Sequence, residues 1–355
     1  MHRLLGSLAT SALCLTLVAC GDDDADGAAS ATSAASDTTA TTQPTIREGE
    51  PWIAFQGVSL GITMIRPDGS GSHAILNDLP GDQLHPDWSP DGGQLAFTQA
   101  DDRTSEVWLS DSAGRNPEPL LGEYPAELSD LLWDNPAWSP NGAQIAMVGY
   151  EGGSNVGLPI RAVLAVVDVA TDELMVAGDY PFDGPYPGVS FPRWSPDGNA
   201  MVLAIGRFDE NDENVGEAIA VMTRTGGTWS VPTVITPFDD FATRPDWHPT
   251  DDLIIFVTHD VGAFQSTEDP SNLFTIRSDG TGLTQVTQFG PGEDRASQPS
   301  WTSDGRIVFT LLTGAGDHQR NIAFVDADGT DLEIVTDDSD VGIDNRPHPR
   351  LRPVR

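Results

Sequence analysis

Six residues could bring chemistry to one place: His85, Asn135, Phe191, Arg244, Gln298 and Arg346, each standing directly before a proline. An imidazole, two carboxamides and two guanidiniums around the mouth of a funnel would supply donors that grip a carboxylate or a peptide end, because charge-assisted bonds are the strong ones. Arg244 and Arg346 are the cations of the set, and the carboxylate is expected to sit on them. The plainer use of the six is to satisfy backbone groups where strands begin.

Three other stretches invite a chemical reading. Gly57-Val58-Ser59-Leu60-Gly61 matches the pattern G-x-S-x-G. That mechanism needs a strand-to-helix elbow, with a later Asp and His on an α/β sheet. Here the stretch is expected in a hairpin, and no catalytic residue is assigned. Asp326-Ala327-Asp328-Gly329-Thr330-Asp331 looks like a fragment of a calcium loop, but the twelve-residue loop is incomplete and no helices flank it. Phe208-Asp209-Glu210-Asn211-Asp212-Glu213-Asn214 is the densest acidic loop and reads as solvated. The expectation is that no cofactor or metal is bound, with calcium the one ion that has candidate loops. Histidines of the mature chain are scattered, so no zinc cluster is indicated.

What must position the six residues is a repeat. Pro86-Asp87-Trp88-Ser89-Pro90-Asp91-Gly92 leads into the apolar run Leu95-Ala96-Phe97, and variants of it recur around Trp138, Trp194, Trp247 and Trp301. A fixed period of roughly fifty residues signals a repeat architecture. Proline presets φ and Asp-Gly or Asn-Gly accepts positive φ, so each stretch after Trp is a tight turn. The apolar run that follows reads as a strand buried on both faces. The Trp before the turn is expected to fill the wedge between neighbouring sheets.

A second turn follows in each repeat, at Asp68-Gly69, Ala113-Gly114, Thr171-Asp172, Gly226-Gly227, Asp279-Gly280 and Asp328-Gly329. The expected fold is all-β: a six-bladed β-propeller with four antiparallel strands per blade, since a ring of sheets leaves only short protected edges. Trp52-Ile53-Ala54-Phe55 lacks an inner strand of its own. Arg346-Pro347-His348-Pro349-Arg350-Leu351 resembles the inner-strand element without its Trp, so the C-terminal strand is expected to close the ring. The short turns then share one face. The long, varied connections share the other, where binding is expected.

At Trp88-Ser89-Pro90-Asp91-Gly92 and its copies the chain resembles the WD40-like, or PD40, repeats of the TolB-type β-propeller. The resemblance implies an envelope protein that binds other proteins through its propeller, although the motif residues build blades rather than sites. TolB-type proteins carry a further N-terminal α/β domain; the expectation here is only a leader and a tether, so that role does not carry over whole. Oligogalacturonate lyases have similar repeats and use funnel His and Arg with a metal. They give the alternative: a small propeller enzyme acting on an anionic saccharide.

The chain has 355 residues. Residues 1–19 read as a signal peptide, with a basic start at His2 and Arg3 and an apolar run too short to span a bilayer comfortably. Leu17-Val18-Ala19-Cys20-Gly21 resembles the bacterial lipoprotein cleavage box. It implies lipidation at Cys20 and an exported, lipid-anchored location in the cell envelope; a conventional secretory signal cut near Ala19 is the other reading. Residues 20–45, rich in Asp, Ala, Ser and Thr, read as a disordered tether, and residues 46–355 as the propeller. The one other cysteine, Cys14, lies in the leader, so the mature fold has no disulfide.

The chain has 54 acidic residues against 18 basic, a formal net charge of −36. Nucleic acid and anionic lipid surfaces are therefore poor partners, and no nucleic-acid partner is expected. The expected partner of this monomer is an envelope protein or one associated with peptidoglycan.

Overall fold

The computed structural model describes residues 46–47, 49–57, 61–152, 161–181, 188–208, 214–258, 270–313, 319–336 and 347–354. They form six antiparallel sheets arranged as a β-propeller. The second blade shows the plan: Asp82–Trp88 innermost, then Gln94–Ala100, Ser105–Asp111 and the short outer strand Glu118–Pro119.

Turn chemistry makes each inner hairpin. In the second blade Ser89 Oγ donates to Asp91 Oδ1 at 2.6 Å and accepts from Gln94 N at 2.9 Å. Gly93 N donates to Asp91 Oδ1 at 2.9 Å, and Gly92 takes φ +66°, which favours glycine. The third and fourth blades repeat these bonds through Ser139 and Asn141 and through Ser195 and Asp197. The fifth blade has Trp247-His248-Pro249 instead, and His248 Nδ1 accepts from Asp251 N at 3.0 Å.

Alternation makes the core. Leu95 and Phe97 pack toward the first blade, and Ala96 between them packs toward the third. In the third blade Ile145 and Met147 face the second, while Ala146 and Val148 face the fourth. The described residues form six apolar clusters, each bridging two neighbouring blades. Trp88, Trp138, Trp194, Trp247 and Trp301 are buried, each in the cluster between its own blade and the one before. Two reach further: Trp88 Nε1 donates to Arg350 O and Trp194 Nε1 to Ala137 O, both at 3.0 Å.

The ring is closed by the C-terminal strand. Arg350–Leu351 pairs antiparallel with Ile53–Gln56, setting Leu351 against Ile53 and Arg350 against Ala54. Leu351 therefore occupies the tryptophan position of the first blade. Arg352 clasps the seam: its backbone N donates to Trp52 O at 2.7 Å, its Nε to Gly92 O at 2.7 Å and its Nη1 to Arg47 O at 2.9 Å.

The fourth blade departs from four continuous strands. Gly226 and Gly227 both take positive φ and fold Thr228–Trp229 back onto Asn214–Thr225. Val231-Pro232 interrupts the outer edge before Thr233–Val234 resumes it, because proline cannot donate to the ladder.

Candidate functional site: the central channel

Each of the five inner strands from the second blade to the sixth carries a β-bulge. In the second blade Leu84 pairs with Thr98 and Asp87 with Ala96, so His85 and Pro86 face a single partner residue. The same shift falls between Asp134 and Ala137, Ser190 and Arg193, Thr243 and Asp246, and Ser297 and Ser300. A bulge re-aims a side chain, and here it does so by driving the residue before the proline into the left-handed region. The φ values are +50° for His85, +57° for Asn135, +51° for Phe191, +52° for Arg244 and +52° for Gln298. Such a conformation costs a non-glycine residue about 1–3 kcal/mol and persists only where the surroundings enforce it. The proline beside it has no N–H, so the unpaired bulge position leaves no orphan donor.

The sixth member of this ring is His348, at φ +44° and before Pro349. Arg346, expected in that place, lies outside the described residues. The repeat proline of the first blade is Pro349, two residues later than the one read from sequence.

The ring is no open funnel mouth. Phe191 and His348 come from blades on opposite sides of the channel, yet their ring centroids are 6.0 Å apart. His85 stands edge-on to His348 at 4.4 Å and to Phe191 at 6.4 Å. Arg244 lies over Phe191 with its Cζ 4.8 Å from the centroid, and its Nη1 donates to His348 Nε2 at 3.1 Å. Gln298 Oε1 accepts from His348 N at 3.0 Å. Asn135, Gln298 and His348 are buried; His85, Phe191 and Arg244 are half-buried. Physically, the bulges turn the side chains toward the axis, and the channel is narrow enough for them to touch across it.

His85 is held from behind. Its Nδ1 lies 2.5 Å from Asp134 Oδ1, which also accepts from Thr98 Oγ1 at 2.8 Å and Asn135 N at 2.7 Å. Burial pushes the Asp134 carboxyl up, but the His85 charge and these three bonds outweigh it and hold the group below its ordinary value.

One layer further along the axis come the residues after the prolines: Asp87, Ala137, Arg193, Asp246, Ser300 and Arg350. Four of them form a closed ring of alternating charge. Asp87 is 3.8 Å from both Arg193 and Arg350, and Asp246 is 3.7 Å from Arg193 and 2.9 Å from Arg350. Ala137 and Ser300 are small enough to let the long side chains pass, and Ser300 Oγ donates to Asp246 Oδ2 at 3.0 Å. Asp87 Oδ2 accepts from Trp138 N and Asp246 Oδ2 from Trp301 N, both at 2.8 Å, so each carboxylate also staples its blade to the next. Burial pushes Asp87 up, and its two long contacts offset this only in part. Burial, with the Arg350 charge beside it, lowers Arg193 to about 10.

Beyond this tetrad the channel widens into a vestibule of about 320 Å³ on the short-turn face. Edges of Trp138, Trp194, Trp247 and Trp301 and the turn prolines Pro140, Pro196 and Pro249 wall it, and the tetrad is its floor.

The architecture has known counterparts. TolB from Acinetobacter baumannii superposes with a TM-score of 0.59 at 14% identity, over 86% of this chain and 66% of that one. The fold is that of a TolB-type propeller. An oligogalacturonate lyase in complex with manganese superposes with a TM-score of 0.50 at 17% identity, over 82% of this chain and 74% of that one. In sequence, the uncharacterized peptidase YuxL of Bacillus subtilis (strain 168) is 25% identical over 126 residues, 34% of this chain and 17% of that protein. The match thus spans about a sixth of the peptidase. No family model matches the chain. The lyase and the TolB protein therefore share this propeller, and the likeness fixes the fold alone.

The remaining sequence candidates fall as follows. Gly57 and Gly61 lie between the first-blade strands Ile53–Gln56 and Ile62–Ile65, with Gly57 N donating to Gly61 O at 2.8 Å; Val58, Ser59 and Leu60 lie outside the described residues. Asp326 to Asp331 form the outer turn of the sixth blade, where Asp328 Oδ1 accepts from Thr330 N and Oγ1 and Asp326 Oδ1 from Arg306 Nε. Residues 209–213 of the acidic loop and Cys20 are outside the described residues. Among the described residues no group of three or more His, Cys, Asp or Glu could hold a metal ion. No described helix is long and apolar enough to cross a membrane.

Proposed function

We propose that this chain is a non-enzymatic binding scaffold of the cell envelope, anchored through lipidated Cys20, whose TolB-type propeller presents its long-loop face to a protein or peptidoglycan-associated partner. One observation carries the reading. The ionisable side chains of the channel are committed to one another and to neighbouring blades: Asp134 to His85, Asp87 and Asp246 to Arg193 and Arg350. A catalytic acid or base must reach a substrate proton within about 3 Å, and groups braced in this way serve as a rigid platform. Toward the long-loop face the ring offers half-buried His85, Phe191 and Arg244. This surface suits a partner's carboxylate or chain end, since a charge-assisted bond there contributes about 1.5–3 kcal/mol.

The experiment is cross-linked capture from envelope with the full-length chain. Wild type and Asp279→Ala, a change in the outer turn of the fifth blade, should recover the same partner. Arg244→Ala should reduce recovery roughly tenfold or more, because the loss of about 1.5–3 kcal/mol exceeds one decade in affinity. Equal capture by Arg244→Ala would rule out the ring as the contact. Turnover of oligogalacturonate by the purified chain would favour the saccharide enzyme instead.

The anchor has its own test. Wild type should fractionate with membranes and incorporate a palmitate analogue; Cys20→Ser, which has no thiol to be lipidated, should stay unlabelled and either remain unprocessed or be released. An unlabelled wild type would remove the anchor from the proposal.

A further inference from the structure

One bond of the ring depends on a proton. Arg244 Nη1 lies 3.1 Å from His348 Nε2. A guanidinium only donates, so Nε2 accepts, and the buried imidazole is neutral with its proton on Nδ1. This bond ties the fifth blade to the C-terminal segment that closes the first. The backbone N of the same histidine donates to Gln298 Oε1 of the sixth blade at 3.0 Å. Its ring stacks on Phe191 of the fourth at 6.0 Å and meets His85 of the second at 4.4 Å. Five blades therefore join at His348 on the axis.

A proton on Nε2 would set one N–H against another. The acceptor is lost whatever the surrounding charge balance. The acids nearby are engaged elsewhere: Asp134 with His85, and Asp87 and Asp246 with Arg193 and Arg350 in the next layer. Burial, then the charges of His85, Arg244, Arg350 and Arg193, push the His348 imidazole well below its ordinary value. Both partners of the bond also sit in the left-handed region, at φ +44° for His348 and +52° for Arg244. Such backbone persists only while its surroundings enforce it, so losing the bond lets both residues relax.

We propose that His348 is an acid-operated latch: neutral, it holds the ring shut across the channel, and protonated, it releases Arg244 and opens the ring toward the long-loop face. The latch goes beyond the binding role proposed above and needs no partner. Its direction in pH follows from linkage. An open or unfolded chain takes up the imidazole proton near pH 6.5, and the closed ring resists it. The closed state is therefore favoured at neutral pH and loses ground as pH falls below about 6.5. Between pH 7 and pH 5.5 the equilibrium constant for closure should drop about eightfold.

Two measurements on the intact protein test this at constant ionic strength. Hydrogen exchange, corrected for its intrinsic rate, should show the protection of the His348 amide in wild type falling about eightfold from pH 7 to pH 5.5. Urea unfolding supplies the comparison with His348→Gln, which offers Arg244 an amide oxygen and cannot be protonated. Gln298 already holds the corresponding place in the sixth blade at φ +52°, so the variant is expected to fold. It should lose about eightfold less folding equilibrium than wild type over the same interval. His73→Gln, in the outer strand His73–Ile75 of the first blade, should keep the wild-type loss. Exchange protection at His348 that does not change with pH would overturn the latch, and this arm needs no variant. So would equal acid losses in wild type and His348→Gln.

Discussion

A chain that stops before Pro347 is expected to lose its cooperative unfolding transition. The nine residues removed carry three separate supports. Arg350–Leu351 is the inner strand of the first blade, and without it Ile53–Gln56 becomes an open edge of buried apolar residues. Such an edge pairs with other chains. Arg352 takes with it a backbone bond to Trp52 and guanidinium bonds to Gly92 and Arg47, and bonds made by a charged group contribute about 1.5–3 kcal/mol each. Arg350 leaves Asp246 and Asp87 with one buried counter-charge in place of two, a loss of the kind that costs about 3–5 kcal/mol. Together these approach the whole stability of a domain, about 5–15 kcal/mol. Calorimetry and size exclusion should show a broad or absent transition and aggregation. A soluble truncation with an unchanged Tm would show that the ring is closed by other means.

That seam is also where the sequence was hardest to place. Five blades are legible because Trp-Ser-Pro-Asp-Gly and its variants specify their turn locally: the serine, the carboxylate and the glycine bond to one another within six residues. The first blade offers two X-Pro steps, Arg346-Pro347 and His348-Pro349, and has Leu351 where a Trp would fix the register. Local chemistry cannot choose between them. The choice falls to the pairing of Leu351 with Ile53, a contact across nearly the whole chain.

The channel was half legible for a related reason. Alignment of the repeats picks out the residue before each proline, but it does not say that a bulge turns that residue inward, nor that the channel is narrow enough for Phe191 to meet His348. The tetrad was written one place further on, as Asp87, Ala137, Arg193, Asp246, Ser300 and Arg350. No single repeat shows it. Two acids and two arginines read as scattered charges until the blades set them in a circle, with the small Ala137 and Ser300 as gaps. The vestibule was hidden differently: its walls are the prolines and tryptophans that sequence reading had already given to turns and wedges.

The tetrad supplies the sharpest single-site test. Asp246→Ala should destabilise the propeller by about 3–5 kcal/mol, the range for removing one partner of a buried ion pair. Asp246 Oδ2 accepts from Arg350 Nη1 at 2.9 Å, Ser300 Oγ at 3.0 Å and Trp301 N at 2.8 Å, and Asp246 Oδ1 is 3.7 Å from Arg193. With the carboxylate gone, two arginines share one acid, and the backbone N–H of Trp301 loses its acceptor at the joint between the fifth and sixth blades. Asp246→Asn separates the two losses. It keeps an acceptor for Trp301 but not the charge, so it should fall between wild type and Asp246→Ala. Charge balance gives a second check. In Asp246→Ala with Arg193→Met, the remaining Asp87 and Arg350 are again paired, so the double variant should cost less than the sum of the two single changes. Urea unfolding of the four proteins measures this coupling directly. A cost below about 1 kcal/mol for Asp246→Ala, or strict additivity in the double variant, would mean that the four charges lie in one layer without acting as a unit.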